Sequence, residues 1–129
     1  MNRRNCLASL VAGSGTFVLS QTGGARPIQL HVDLSVDPAK EDEMLRIFHS
    51  QFRPAASKQP GFKDLEMLKL RSKLAGVAPP GSNYRFVLTF ESEEQRLKWT
   101  ETPIHKKLWP KIEATLRSKG YTVLLYDTA

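Results

Sequence analysis

The sequence predicts an α+β fold with four strands and two helices in the order β-α-β-β-α-β, the split βαβ pattern. Three observations carry that expectation. Ile28, Leu30, Val32, Leu34 and Val36 alternate with Gln29, His31, Asp33, Ser35 and Asp37, the period of a half-buried strand. Asp37-Pro38 follows directly, an N-cap with proline at the first helical position. Tyr84, Phe86, Leu88 and Phe90 make a second alternating run, and it gives way to the capping box Ser92-Glu93-Glu94-Gln95.

In the first helix, Met44, Leu45, Phe48 and Phe52 fall on one stripe, while Glu41, Asp42, Arg46 and Gln51 lie mostly elsewhere. The helix is expected over residues 38 to about 53, with Pro54 discouraging its continuation and His49 at its surface. Gln59-Pro60-Gly61 is a turn. The second strand is expected over residues 62–71. There Leu65 and Met67 change parity with Leu68 and Leu70, which suggests a β-bulge near Met67. Residues 76–82, with Pro79, Pro80 and Gly81, form a loop. The second helix carries Leu97 and Trp99, is interrupted near Pro103 and resumes through Ile112 and Leu116. Gly120 closes it, and residues 121–126 are the last strand.

This order is the ferredoxin-like arrangement, an antiparallel four-stranded sheet with both helices on the face carrying Ile28, Leu30 and Val32. The other face carries His31, Asp33, Arg85, Val87 and Thr89, together with apolar side chains from the second and fourth strands. Nothing within the chain covers it. A core of this size is limited, so a homodimer that covers the face is expected.

The chain has 129 residues, enough for one domain and too few for a dinucleotide-binding domain plus a substrate domain. A charged fraction of 25% and six phenylalanines are unlike a disordered chain. The single cysteine, Cys6, makes no internal disulfide. Residues 1–25 contain no acidic residue, and Arg3 and Arg4 precede a short apolar run ending in Gly23 and Ala25. That pattern describes a secretory signal peptide. Residues 2–7 resemble a twin-arginine export signal, with Cys6 and Ala8 departing from its usual residues. Export to the periplasm is therefore expected, the alternative being a cytoplasmic protein with a weakly apolar N-terminus. The run is too short and glycine-rich for a stable membrane anchor. Cleavage after Ala25 leaves 104 residues with 17 basic and 13 acidic side chains, so +6 becomes +4. That modest excess does not demand an anionic partner.

Trp99, His105 and Trp109 form a W-x5-H-x3-W pattern around Pro103, and His105 and Trp109 share a helix face. A histidine beside two indoles could accept a proton from a bound phenol, whose anion reacts with O₂. Phe52 and Tyr84, both on inward-facing stripes, are expected to line the same pocket. The competing reading makes the tryptophans core residues. His31 and Asp33 are same-face neighbours on the first strand: either a base with its orienting carboxylate, or a polar pair at a dimer interface. Three widely spaced histidines supply no metal site by local spacing. No phosphate-binding loop or nucleophile elbow follows a strand. Base-stacking RNA recognition is not expected, because Tyr84, Phe86 and Phe90 should face the helices. Lys106, Lys107 and Lys111 read as a solvated helix face.

The stretch Phe90-Glu91-Ser92-Glu93-Glu94, followed by Trp99, Thr102-Pro103 and His105, resembles the second-helix region of the antibiotic biosynthesis monooxygenase family. Lys58-Gln59-Pro60-Gly61-Phe62 is similar to that family's turn into its second strand, and the resemblance covers roughly residues 28–126. It implies a dimeric α+β barrel in which each subunit keeps a pocket between sheet and helices. Some members oxidise phenolic or quinol-like aromatics with O₂ and no metal or flavin, others degrade haem, and many have no established activity. The haem-degrading pattern uses a tryptophan, a ligating histidine about ten residues later and an asparagine on the first strand. Trp99 matches, but the ligand position falls on Trp109, and the first strand offers His31 and Asp33 instead of asparagine. Haem is thus disfavoured and no cofactor is expected. The expected function is cofactor-independent oxygenation of a small aromatic, with a non-catalytic ligand-binding or stress-associated protein as its rival.

Overall fold

The computed structural model describes residues 26–129, and the expected leader at residues 1–25 lies outside them. Four strands, β1 (Ile28–Leu34), β2 (Phe62–Lys69), β3 (Tyr84–Phe90) and β4 (Thr122–Asp127), form one antiparallel sheet in the order β2-β3-β1-β4. That order and the position of the helices are those of the ferredoxin-like split βαβ fold. No helix among the described residues is long and apolar enough to cross a membrane.

The register puts Ile28, Val32 and Leu34 opposite Phe90, Phe86 and Tyr84, and all six are buried beneath the helices. The alternation seen in β1 and β3 is therefore what makes one sheet face the core. Past Leu34, the Asn83 side chain continues the pairing. Its amide donates to the Val36 carbonyl and its oxygen accepts from the Val36 N–H, at 2.9 and 2.7 Å.

The first helical region differs from expectation by running through its proline. A 3-10 turn (Pro38–Lys40), capped by Asp37, leads into α1 (Glu41–Ile47), then a π-helical turn (Phe48–Phe52) and α2 (Arg53–Ser57). The wider π turn eases the clash between the Pro54 ring and the preceding carbonyls, so the helix need not stop there. It also leaves Phe48 and Phe52 both pointing into the core, fully buried, while His49 is exposed as expected.

The bulge in β2 is also misplaced by the sequence reading. The register slips between Phe62 and Asp64, not at Met67. After that slip Leu65 and Met67 face the core opposite Leu88 and Phe86, and Leu68 and Leu70 simply point to the other side, about half exposed. Their apparent change of parity is two-faced hydrophobicity. The turn before the strand needs Gly61, whose φ of +86° lies in the left-handed region. The strand ends at Lys69 instead of residue 71.

The second helical region breaks as expected into α3 (Glu93–Thr100) and α4 (Pro103–Glu113). Ser92 caps α3 by accepting from the Gln95 N–H. The Gln95 side chain meets the Ser92 hydroxyl, so the capping box is only half reciprocal. The helix stops at Glu113, before Leu116, whose backbone instead bridges to Val36. Both helical regions cover the same sheet face. The opposite face presents Leu68, Leu70, Leu124 and Tyr126 at 42–49% exposure.

Candidate functional site

The junction between α3 and α4 builds the site. Thr102 has an extended backbone and caps α4: its hydroxyl donates to the Trp99 carbonyl at 2.7 Å and accepts from the His105 N–H at 3.2 Å. One side chain thus ties the last turn of one helix to the first turn of the next. It brings the Trp99 and His105 rings into edge-to-face contact, 4.9 Å between centroids. Trp109, one turn further along α4, lies nearly parallel to His105, 13° between ring planes and 6.4 Å between centroids. Phe52 reaches the cluster from the π turn, 5.6–6.0 Å from Trp99, His105 and Trp109.

These rings border a cavity of about 160 Å³ between the sheet and the helices, which Arg96, Thr100 and Val123 also line. Its volume is close to that of an engineered apolar cavity of ~150 Å³ that accepts benzene. One aromatic ring fits inside, and a larger ligand would extend through the mouth. The expected lining residues Phe52, Trp99, His105 and Trp109 are all present. Trp99 is both a core residue, 1% exposed, and part of the wall, so the two readings of it are not exclusive.

Tyr84 is not in this cavity. It is buried farther along the sheet, where its hydroxyl donates to the Glu41 carboxylate, which also takes an ion pair from Lys69 at 2.6 Å. Burial, reinforced by the Glu41 carboxylate, pushes its pKa up to about 12. The apolar stripe of β3 predicted burial correctly but could not say which end of the strand meets the cavity.

His31 and Asp33 lie on the opposite sheet face, and they do not form a base with its orienting carboxylate. Asp33 is buried and holds Arg85 in a two-point ion pair, with nitrogen–oxygen distances of 2.8 and 3.2 Å. His31 Nε2 lies 3.0 Å from the Gln29 side-chain oxygen, and its ring meets Tyr126 edge-on. Burial and the nearby Arg85 lower its pKa, with Asp33 opposing. The cross-strand pairing of residues 33 and 85 decides this arrangement, and same-strand spacing could not reveal it.

Arg96 and Tyr121 are among the lining residues that the sequence pattern did not single out. Arg96 is held by Glu93 through two bonds of 2.6 and 2.7 Å on the same helix, and the i,i+3 spacing of those charges was a usable signal. Tyr121, just before β4, closes another side of the cavity. Among the described residues no three His, Cys, Asp or Glu side chains group to hold a metal ion. Haem does not fit either. The only imidazole on the cavity is wedged among Trp99, Phe52 and Trp109, and a porphyrin is several times larger than the space.

Burial, with a smaller contribution from the Arg96 charge, lowers the pKa of His105 below its ordinary 6.5. The imidazole is accordingly neutral near pH 7, the form that can accept a proton. The same shift affects stability. The unfolded chain binds the proton more readily than the folded one, so this contribution is full above pH 6.5 and declines as the pH falls below it. Urea denaturation of the parent and of His105→Phe should therefore show their stability difference moving in the variant's favour between about pH 7 and pH 5. A pH-independent difference would contradict the lowered pKa.

No family model matches the chain, and no curated protein matches it by sequence. Solved structures do. A Caulobacter crescentus protein assigned provisionally as an antibiotic biosynthesis monooxygenase superposes with a TM-score of 0.65 at 18% identity, covering 81% of this chain and 92% of that one. A variant of SnoaB, a cofactor-independent oxygenase from Streptomyces nogalater, gives 0.64 at 17% identity over 81% and 94%. A dimeric ferredoxin-like protein of unknown function from Jannaschia sp. CCS1 gives 0.67 at 15% identity over 79% and 99%. At these identities the likeness establishes the fold, ferredoxin-like α+β, which antibiotic biosynthesis monooxygenase-like structures share.

Proposed function

We propose that the chain is a cofactor-independent monooxygenase of the antibiotic biosynthesis type, acting on a phenolic or quinol-like aromatic held in the cavity. The observation that carries this reading is the His105 imidazole set in an aromatic cavity of single-ring size, where burial disfavours its charged form. The likeness to SnoaB, described as a cofactor-independent oxygenase, supports it.

His105 accepts the phenolic proton, which leaves an electron-rich ring anion. That anion reduces O₂ directly. For an anthrone-type substrate the ring CH₂ becomes C=O, one oxygen atom enters the product, and the other leaves as water with the two hydrogens. Trp99, Trp109 and Phe52 hold the ring and keep bulk water from the anion. Thermal unfolding with and without an anthrone, paired with oxygen uptake, tests the reading. Stabilisation with turnover is expected; stabilisation without turnover would mean a binding protein.

The functional unit in this reading is a homodimer with the open sheet faces packed together. Leu68 and Leu70 at one edge of that face, and Leu124 and Tyr126 at the other, leave apolar side chains 42–49% exposed on either side of its polar centre. The buried Nδ1 of His31 also lacks a partner among the described residues. The dimeric Jannaschia structure supports this assembly. Sedimentation equilibrium should give twice the chain mass for the parent and the single-chain mass for Leu124→Glu. A monomeric parent would remove the dimer.

A further inference from the structure

Tyr121 donates and accepts in a chain of hydrogen bonds that the chemistry above does not use. From it we infer that Tyr121 and Glu113 are positioning residues that hold the Trp109 indole in place as a wall of the cavity. The inference rests on that cavity being the reaction site.

The polarity of the chain is forced. An indole N–H can only donate, so Trp109 Nε1, 3.2 Å from the Tyr121 hydroxyl oxygen, makes that hydroxyl an acceptor. The hydroxyl's own proton is then directed to Glu113 Oε2 at 2.8 Å, a carboxylate oxygen. Glu113 lies one turn beyond Trp109 on α4, so both rise from one face of the helix. Tyr121 arrives from the segment that enters β4, on the other side of the turn. The bonds thus tie the C-terminal end of α4 to the strand entry, with the indole between them.

The rest of the indole surface is set by packing. Phe52 and Phe86 each lie 5.8 Å away by centroid, His105 is nearly parallel, and the Tyr121 ring meets it edge-on at 5.9 Å. Aromatic contacts alone tolerate rotation of a half-buried indole, since every ring presents a face or an edge. A single directed bond at Nε1 selects one orientation. Burial, with the Glu113 carboxylate, raises the Tyr121 pKa, so the hydroxyl keeps the proton it donates.

The chain contains two tryptophans, so ¹⁵N-labelled protein gives two indole N–H resonances, and Trp109→Phe assigns them. In Tyr121→Phe the Trp109 signal should shift and exchange with deuterated solvent about tenfold faster, while the Trp99 signal stays. Methylhydroquinone should bind about tenfold more weakly to this variant, raising KM with little change in kcat. Glu113→Gln, which still offers an acceptor, should keep both near the parent, whereas Glu113→Ala should change both as Tyr121→Phe does. If Tyr121→Phe does not fold, Glu113→Ala carries the same comparison. An unmoved Trp109 resonance, or unchanged methylhydroquinone affinity alongside a moved one, overturns the positioning role. A parent that binds no methylhydroquinone overturns the site reading instead.

Discussion

His105→Ala is expected to lower oxygen uptake with an anthrone by about 10²- to 10⁴-fold, the range for removing a positioned general base. The thermal midpoint should move by no more than a few degrees. His105 is only partly buried, and its backbone N–H still receives the Thr102 cap in the variant, so α4 keeps its start. The loss should fall on kcat, because the ring-holding residues Phe52, Trp99 and Trp109 remain. In the parent, activity should fall on the acid side with a midpoint below the ordinary histidine value of 6.5, since burial and Arg96 disfavour the imidazolium. Full turnover in His105→Ala would assign proton removal to another group or to solvent.

Trp99→Ala is expected to cost about 3–5 kcal/mol of stability, the range for truncating a fully buried tryptophan. Trp99 is 1% exposed and packs edge-on against both Phe52 and His105. Its carbonyl also accepts the Thr102 hydroxyl, so the space left by the indole would adjoin the α3–α4 junction. For a domain of this size each kcal/mol shifts the midpoint by about 4–8 °C. Urea denaturation should place Trp99→Phe between the variant and the parent. A loss below about 1 kcal/mol would mean that neighbouring side chains collapse into the space, and that Trp99 is cavity wall more than core.

Much of the fold was legible because period and punctuation agreed. Alternation in residues 28–36 and 84–90 fixed two strands and their buried face, and Thr102-Pro103 marked the real break between α3 and α4. Where the reading failed, a second factor outweighed a local rule. Pro54 did not end the first helix, because a π turn accommodates it. The parity change in β2 marked a strand apolar on both faces, and the true bulge lies at its start.

The site was half legible. Phe52, Trp99, His105 and Trp109 converge because one helix face and one cap bring them together, and helical spacing carries that information. Tyr84, His31 and Asp33 depend on where strands lie relative to the cavity and on cross-strand partners such as Arg85. Tyr121 was invisible for the same reason: its partners Trp109 and Glu113 belong to the preceding helix, across a turn.

The most direct test of the account is oxygen uptake with an anthrone by the purified protein after exhaustive dialysis against a chelator. The account predicts uptake above the spontaneous rate, unchanged by the chelator, with one ¹⁸O atom from ¹⁸O₂ in the product and the other in water. Uptake at the spontaneous rate, or uptake that a metal or haem must restore, would contradict it.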